Sequence, residues 1–336
     1  MQSAMAGYRN ILVAIDFSPH SDAALKQAVW LARQTGARIV LAHTLPDLRR
    51  AFLGTSYEAR LDFLYGEGAL FQRELRKDSD TKLRRMIVDL NAMDLDVKFE
   101  TLLGEPFVEL THAVQAEGYD LVLTGTRGLA AWEQFVVGST TKRLIRKCPA
   151  TVWIAKAEHA GPPKVVLAAT DFSAVSFKAV AHGLRVAQQA NAKFHLLHVL
   201  DSKVVPEDVI AKIPQGSSLR QDINEDAEKR LDTLRESLQA DRSRIQVHLS
   251  WGTPWKEAAR VAQDLAADVI ALGTVGRSGI QGLLLGNTAE RLLGTCDCSI
   301  LTVKPDGFVS PIDPAFWALH PGPTGNTATA EQRPET

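Results

Sequence analysis

Residues 125–140, GTRGLAAWEQFVVGST, and residues 273–288, GTVGRSGIQGLLLGNT, place their glycines at the same spacing. Gly125, Gly128 and Gly138 map onto Gly273, Gly276 and Gly286 at a constant offset of 148. That offset also carries Gly104 onto Gly252, Pro106 onto Pro254, Asp120 onto Asp268, Cys148 onto Cys296 and Lys156 onto Lys304. Upstream, AIDFS (14–18) meets ATDFS (169–173) and LAHTL (41–45) meets LLHVL (196–200), both at an offset of 155. The second copy is therefore 7 residues shorter between His198 and Gly252 than the first is between His43 and Gly104. A period near 150 residues is domain-sized, well above the roughly 20–50 residues of solenoid repeats. The chain is expected to contain two homologous domains, residues 1–156 and 164–306, with 157–163 as the linker and 307–336 as a Pro-rich tail whose end is disordered. Within that tail Phe316, Trp317 and Leu319 are the residues able to pack back on a domain.

Each copy alternates strand-like and helix-like segments. ILVAI (11–15) and VVLAA (165–169) are continuous apolar runs, the pattern of strands covered on both faces. The segments that follow, SDAALKQAVWLARQTG and SFKAVAHGLRVAQQAN, space their apolar residues at three and four, open on a candidate Ser N-cap, and stop at Gly36 or Asn191, both residue types that tolerate a left-handed C′ position. Further strands follow at RIVLAHTL and KFHLLHVL, VKFETLLG and IQVHLSWG, DLVLTGT and DVIALGT, and ATVWIAK and SILTVK. Strands alternating with helices imply right-handed crossovers and a parallel sheet, about five strands per copy.

Composition narrows the function. A formal net charge of −1 supplies no general attraction for nucleic acid or an anionic membrane. The mixed charges of 71–90 and 224–239 read as solvated helix faces. Three cysteines do not make a disulfide framework, which suits a reducing compartment. With neither an apolar leader nor a run of about 18 apolar residues to span a bilayer, a cytoplasmic protein is expected.

In open α/β sheets ligands sit beyond the carboxyl ends of the strands where strand order reverses. Asp16, at the end of the first strand, and the glycine loop after LVLTG both fall at that edge. Gly125 and Gly128 allow close backbone approach to a ligand, and Gly138-Ser139-Thr140 stands at a helix start, where free N–H groups and the positive dipole end favour phosphate. Each charge-assisted hydrogen bond contributes roughly 1.5–3 kcal/mol before ordering costs, so three or four are compatible with about −8 kcal/mol, on the order of micromolar affinity. The competing reading gives these glycines only tight turns and close packing, and gives Asp16 an N-cap role.

The Gly-x2-Gly-x9-Gly-Ser pattern of 125–139, with AIDFS in the first strand and CPATVWI in the last, resembles the universal stress protein family. The tandem layout and GLLLGNTAERLL with CDCSILTVKPDGF (282–308) are similar to its E-type members. The resemblance covers all but the C-terminal tail. It implies two tandem open five-stranded parallel sheets, strand order 3-2-1-4-5, flanked by helices in a Rossmann-like, adenine-nucleotide alpha-hydrolase-like fold. It implies ATP as ligand, with Asp16 on the adenosine part and Gly125, Gly128, Gly138, Ser139 and Thr140 on ribose and phosphates. The matching set in the second copy is Asp171, Gly273, Gly276, Gly286, Asn287 and Thr288, in which Asn287 departs from the family's Ser or Thr. The expected partners are the nucleotide, the other half of the same chain and a second copy in a homodimer. No role is assigned to Mg.

No Walker loop, G-x-G-x-x-G, G-x-S-x-G or H-E-x-x-H occurs, so standard NTPase and hydrolase parts are missing and no catalytic residue is assigned. A slow ATPase and a binding module for a non-nucleotide, lipid-like ligand remain the alternatives. Cys296-x-Cys298 reads as small buried side chains and not as a metal site, since Cys298 aligns with Ala150. His43 and His198 recur at equivalent strand ends and read as structural, hydrogen-bonded histidines. Arg127 could meet a phosphate, but its counterpart is Val275.

Overall fold

The computed structural model describes residues 7–48, 66–126, 137–201, 218–238, 240–275 and 285–312. The first half runs β1 (Asn10–Ile15), α1 (Pro19–Thr35), β2 (Arg38–Leu45), α2 (Glu67–Asp89), β3 (Val97–Leu103), α3 (Pro106–Glu117), β4 (Leu121–Gly125), α4 (Ser139–Lys147) and β5 (Thr151–Ala155). The second runs β6 (Val165–Thr170), α5 (Ala174–Ala190), β7 (Lys193–Asp201), α6 (Ser218–Ser237), β8 (Ile245–Gly252), α7 (Pro254–Asp264), β9 (Val269–Gly273), α8 (Asn287–Thr295) and β10 (Ser299–Val303). Between them residues 157–163 hold a 3-10 turn, Ala157–His159.

Within each half the strands are parallel and ordered 3-2-1-4-5, as expected. The expectation of two separate sheets needs one correction: the order is β3-β2-β1-β4-β5-β10-β9-β6-β7-β8, a single ten-stranded sheet. The halves join where β5 and β10 pair antiparallel, Ile154 opposite Ile300, Trp153 opposite Leu301 and Val152 opposite Thr302. Trp153 and Leu301 are also each other's counterparts at the 148 offset, so the local two-fold axis passes through that pair. A self-complementary edge contact of this kind satisfies two otherwise open strand edges at once.

The unbroken apolar runs have the expected cause. Ile11 and Val13 of β1 enter one core cluster and Leu12 the other, because successive strand residues point to opposite faces. Residues of α1, α2, α5 and α6 cover the first face, and residues of α3, α4, α7 and α8 the second, each core running across the seam.

Helices α1 and α5 begin one turn earlier than their sequence pattern suggested. The caps are Ser18 and Ser173, whose hydroxyls accept from the N–H of Ser21 and Ser176. The C-terminal stops are as expected: Gly36 has φ 69° and Asn191 has φ 51°, the left-handed cap conformation. The residues after β10 turn back through Gly307 and bring Phe308 under the Lys304 ammonium, 4.3 Å from its ring centre. Phe316, Trp317 and Leu319 lie outside the described residues.

Candidate functional site

Strand order reverses between β1 and β4, and again between β6 and β9. The β1–β4 register pairs Val13 with Leu123; continued along the strands it sets Asp16 opposite Thr126. The same continuation from Ala168 opposite Ala271 sets Asp171 opposite Thr274. Each predicted carboxylate therefore stands beside the first residue of its glycine loop, at the switch point.

Asp16 does not cap α1. Its Oδ1 accepts from the Ser18 N–H at 3.1 Å and the Ser18 hydroxyl at 2.6 Å, while Ser18 does the capping. Asp171 holds Ser173 in the same way, at 3.0 and 2.6 Å. The turn forces the residue between them into the left-handed region: Phe17 has φ 61° and Phe172 φ 62°. Such a conformation is costly for a bulky side chain and tends to occur at functional sites. The described bonds of Asp16 leave Oδ2 without a partner among the described residues.

The base of each glycine loop is tied shut. Gly138 N–H donates to the Thr126 carbonyl at 2.8 Å and Gly286 N–H to that of Thr274 at 2.6 Å, while Thr126 and Thr274 N–H groups bond Ala155 and Val303 on the neighbouring strands. Gly138 and Gly286 are the N-caps of α4 and α8, and among the described residues no side chain caps either helix start. Ser139 and Thr140, like Asn287 and Thr288, form the first turn of these helices. Uncapped N–H groups and the positive dipole end thus meet the switch point in both halves. Gly125 is packed so closely that a Cβ would sit 2.7 Å from His20 Cβ and 2.8 Å from its backbone carbonyl carbon. Gly128, Gly276 and Arg127 lie outside the described residues.

His43 and His198 carry the structural role expected of them. Their Nδ1 atoms bond the carbonyls of Ile15 at 2.7 Å and Thr170 at 2.8 Å, and their rings lie against Phe17 and Phe172 at 4.5 and 4.3 Å. They brace the strained Phe from behind.

Two features escaped the sequence reading, the first of them repeated. A cation lies over each strained phenyl ring, Lys82 at 5.5 Å from Phe17 and Arg230 at 5.9 Å from Phe172, and each pairs with an acid one helical turn back, Asp78 or Asp226. Both pairs obey the 148 offset, so aligning the charged helices residue by residue would have found them. The second feature is unrepeated: the His20 ring nitrogen meets the Thr126 hydroxyl at 3.1 Å, a contact between α1 and the loop base that no motif signals.

Comparison with known proteins now decides the lineage, because the model of the universal stress protein family matches residues 7–156 and again 163–304. The chain belongs to the universal stress protein family. It is similar to universal stress protein E of Photorhabdus laumondii, 26% identical over 323 residues, which cover 93% of this chain and 99% of that one. It is similar also to universal stress protein E of Escherichia coli K12, 27% identical over 336 residues, covering 92% and 98%. Among solved structures, a universal stress protein from Archaeoglobus fulgidus shares the fold at TM-score 0.60 and 18% identity, over 90% of this chain and 99% of that one. A functionally unknown protein from Pseudomonas aeruginosa PAO1 does so at TM-score 0.60 and 22% identity, over 90% and 95%. The tandem universal stress protein domains are thus joined through their fifth strands, with one switch point in each.

Among the described residues no helix is long and apolar enough to cross a membrane.

Proposed function

We propose that this universal stress protein is a cytoplasmic nucleotide-responsive factor that binds ATP or a related adenine nucleotide at least in its first domain. The domains are those drawn from the repeat, 1–156 and 164–306. Occupancy would bias how the halves pack or which partner they meet, which requires different affinities for two states of the protein. The observation that carries the reading is the first switch point: an Asp16 carboxylate oxygen without a partner among the described residues, on the same sheet edge as a helix start at Gly138-Ser139-Thr140 that no described side chain caps. A carboxylate accepts from hydroxyl or amine donors, and a helix N-terminus accepts phosphate. Gly128 completes the expected set. In the second domain Asp171, Gly273, Gly276, Gly286, Asn287 and Thr288 form the corresponding set, with an amide in place of the hydroxyl of Ser139.

Calorimetric titration of ligand-stripped protein with ATP tests this, beside Gly138→Val. Gly138 has φ −57° and ψ 151°, a conformation valine adopts readily, so the substitution adds bulk at the phosphate position without straining the backbone. Micromolar binding near one site per chain, lost in Gly138→Val and kept in Gly286→Val, is the expected result. No heat and no thermal shift at millimolar ATP would refute it.

A second reading has one observation in its favour. Where the first domain has His20, Thr124 and Thr141, the second has Val175, Leu272 and Ala289, a drier layer beneath the glycine loop that favours an apolar ligand over a phosphate. Native mass spectrometry of the purified protein would reveal such a ligand as a co-purifying mass.

A further inference from the structure

The seam holds a pair of side chains that neither the fold nor the nucleotide reading uses. Cys296 closes the last turn of α8, its N–H bonded to the Leu292 carbonyl at 2.9 Å, and Cys298 stands two residues on, just before β10. A bend at residues 297–298 and the shared side of i and i+2 residues bring the two Sγ atoms to 3.0 Å. Both side chains are about as buried as core residues, 3% exposed each.

The mirror position shows why this is a pair and not an accident of burial. Cys148 takes the place of Cys296 in the first half, equally buried, but Ala150 takes the place of Cys298. There the local cation is Lys304, whose ammonium donates to the carbonyls of Ile145 and Arg146 at the end of α4. In the second half the matching cation is Lys156, whose backbone N–H donates to the Ser299 hydroxyl at 3.1 Å, next to Cys298, and whose charge acts on both thiols. A cation beside a thiol favours its thiolate.

We infer that Cys296 and Cys298 form a dithiol that peroxide converts to an intramolecular disulfide at the seam between the two domains. The Cys296 thiol ionises and its thiolate attacks one oxygen of hydrogen peroxide; an S–O bond forms, the O–O bond breaks, and the departing hydroxide takes up the proton released by Cys296 to become water. Cys298 sulfur then attacks Cys296 Sγ, an S–S bond forms, the S–OH bond breaks, and the departing hydroxide takes the Cys298 proton to become water. Two thiols are oxidised, one peroxide is reduced, and two waters are released. Cys296 is the attacking sulfur because the hydrogen bond from the Cys298 thiol pulls its pKa below the usual cysteine range, more than burial raises it. Cys298 is held above that range by the same bond and by burial, as the resolving thiol. Peroxide is close to water in size and needs only a brief opening of the last turn of the nine-residue helix α8. Cys148, alone and pushed up to about 11 by burial, is a built-in control.

The test uses the full chain, exposed to hydrogen peroxide under native conditions, quenched, alkylated and weighed intact, then mapped by peptide. The expected product is lighter by two hydrogens, retains one alkylatable thiol at Cys148 out of three, and is restored by dithiothreitol. Cys298→Ser should stop at a sulfenic acid trapped by dimedone, and Cys296→Ser should react at least about tenfold more slowly than the native chain. The inference is overturned if three thiols remain after exposure that oxidises a free thiol peptide, if Cys148 reacts as fast as the pair, or if the product is a disulfide between chains. The native-chain experiment decides the matter even if a variant misfolds.

Discussion

The two switch points are the same backbone written with different side chains. Asp16 and Asp171 hold their serines at distances that agree within about 0.1 Å, the two phenylalanines differ by one degree in φ, and Lys82 and Arg230 occupy one position. One layer deeper the agreement ends. In the first half the Thr141 hydroxyl bonds the Gly125 carbonyl at 2.9 Å, and Thr124 approaches it at 3.3 Å. In the second half Leu272 and Ala289 take those places and the Thr274 hydroxyl is buried without a partner among the described residues. Turn geometry is set by backbone bonds and survives divergence; the hydroxyl layer beneath it depends on single side chains and does not.

The contrast is sharpest at the close contacts between strand and helix. In Gly125→Ala the new Cβ meets His20 backbone at 2.8 Å, so α1 must shift. In Gly273→Ala the nearest atom is Val175 Cγ1 at 2.8 Å, the end of a side chain that can rotate. Overpacking costs typically about 1–3 kcal/mol, and the first substitution is expected near about 3 and the second near about 1. Urea unfolding of both variants checks the order; equal losses would mean that α5 is as rigidly placed as α1.

Acid should separate the halves next. His182 of α5 receives Tyr8 of the first half at 2.6 Å. Burial, then Arg185 and Lys178, holds His182 down at about 3. Between pH 6.5 and pH 5 the unfolded chain takes up a proton that the folded chain refuses, so stability from this group is lost as pH falls, by about 2 kcal/mol at pH 5. The counterpart of His182 is Gln27, which does not titrate. His182→Gln is expected to recover most of that 2 kcal/mol at pH 5 in a comparison of denaturation midpoints at pH 7 and pH 5. The strand edges reinforce the contrast. Burial lowers both His195, to about 4, and His248, their nitrogens 2.8 Å apart, so this pair also disfavours acid. At the place of His248 the first half has Glu100, raised by burial and Glu117, which disfavours high pH instead.

Sequence alone revealed the repeat, the alternation, the strand order through family likeness, and the position of Asp16 and Gly125 at the sheet edge and of Gly138 at a helix start. It did so because these rest on spacing and on apolar runs. The joining of the sheets was not legible, since nothing in TVWIA or SILTV marks which edge will find a partner. Nor was the role of Asp16 in holding Ser18, because Asp-x-Ser offers two competing caps, and only the backbone path through a left-handed Phe17 settles which is used. The thiol pair was visible as Cys-x-Cys, but its closeness depends on a bend that spacing does not encode.

Exchanging the unmatched residues of the deeper layer tests whether the difference is energetic or inherited drift. His20→Val removes the partner of the Thr126 hydroxyl, which is 4% exposed, and an orphaned buried hydroxyl costs about 1–3 kcal/mol; a loss near about 1 kcal/mol is expected, because His20 also packs on Gly125. Val175→His offers Thr274 the partner it lacks and should be neutral or stabilising by under about 1 kcal/mol. A gain as large as the first loss would mean that the second half had kept the geometry and lost only the residue.

The smallest effect belongs to the seam's surface. Arg146 of α4 pairs with Glu290 of α8 across the domain boundary, and the reciprocal positions, Gly294 and Lys142, cannot form the same pair. The contact breaks the two-fold symmetry of the joint, so it could in principle set which face of each half is presented. Its side chains are 43% and 51% exposed, however, and pairs at such exposure contribute about 0.2–1 kcal/mol, less in salt. Arg146→Ala should lower stability by about 0.5 kcal/mol or less at low ionic strength, an effect erased by about 0.5 M salt. A larger loss that persists in salt would show that the guanidinium works through packing of its stem against the seam, and that the asymmetry of the halves extends from their crevices to the joint between them.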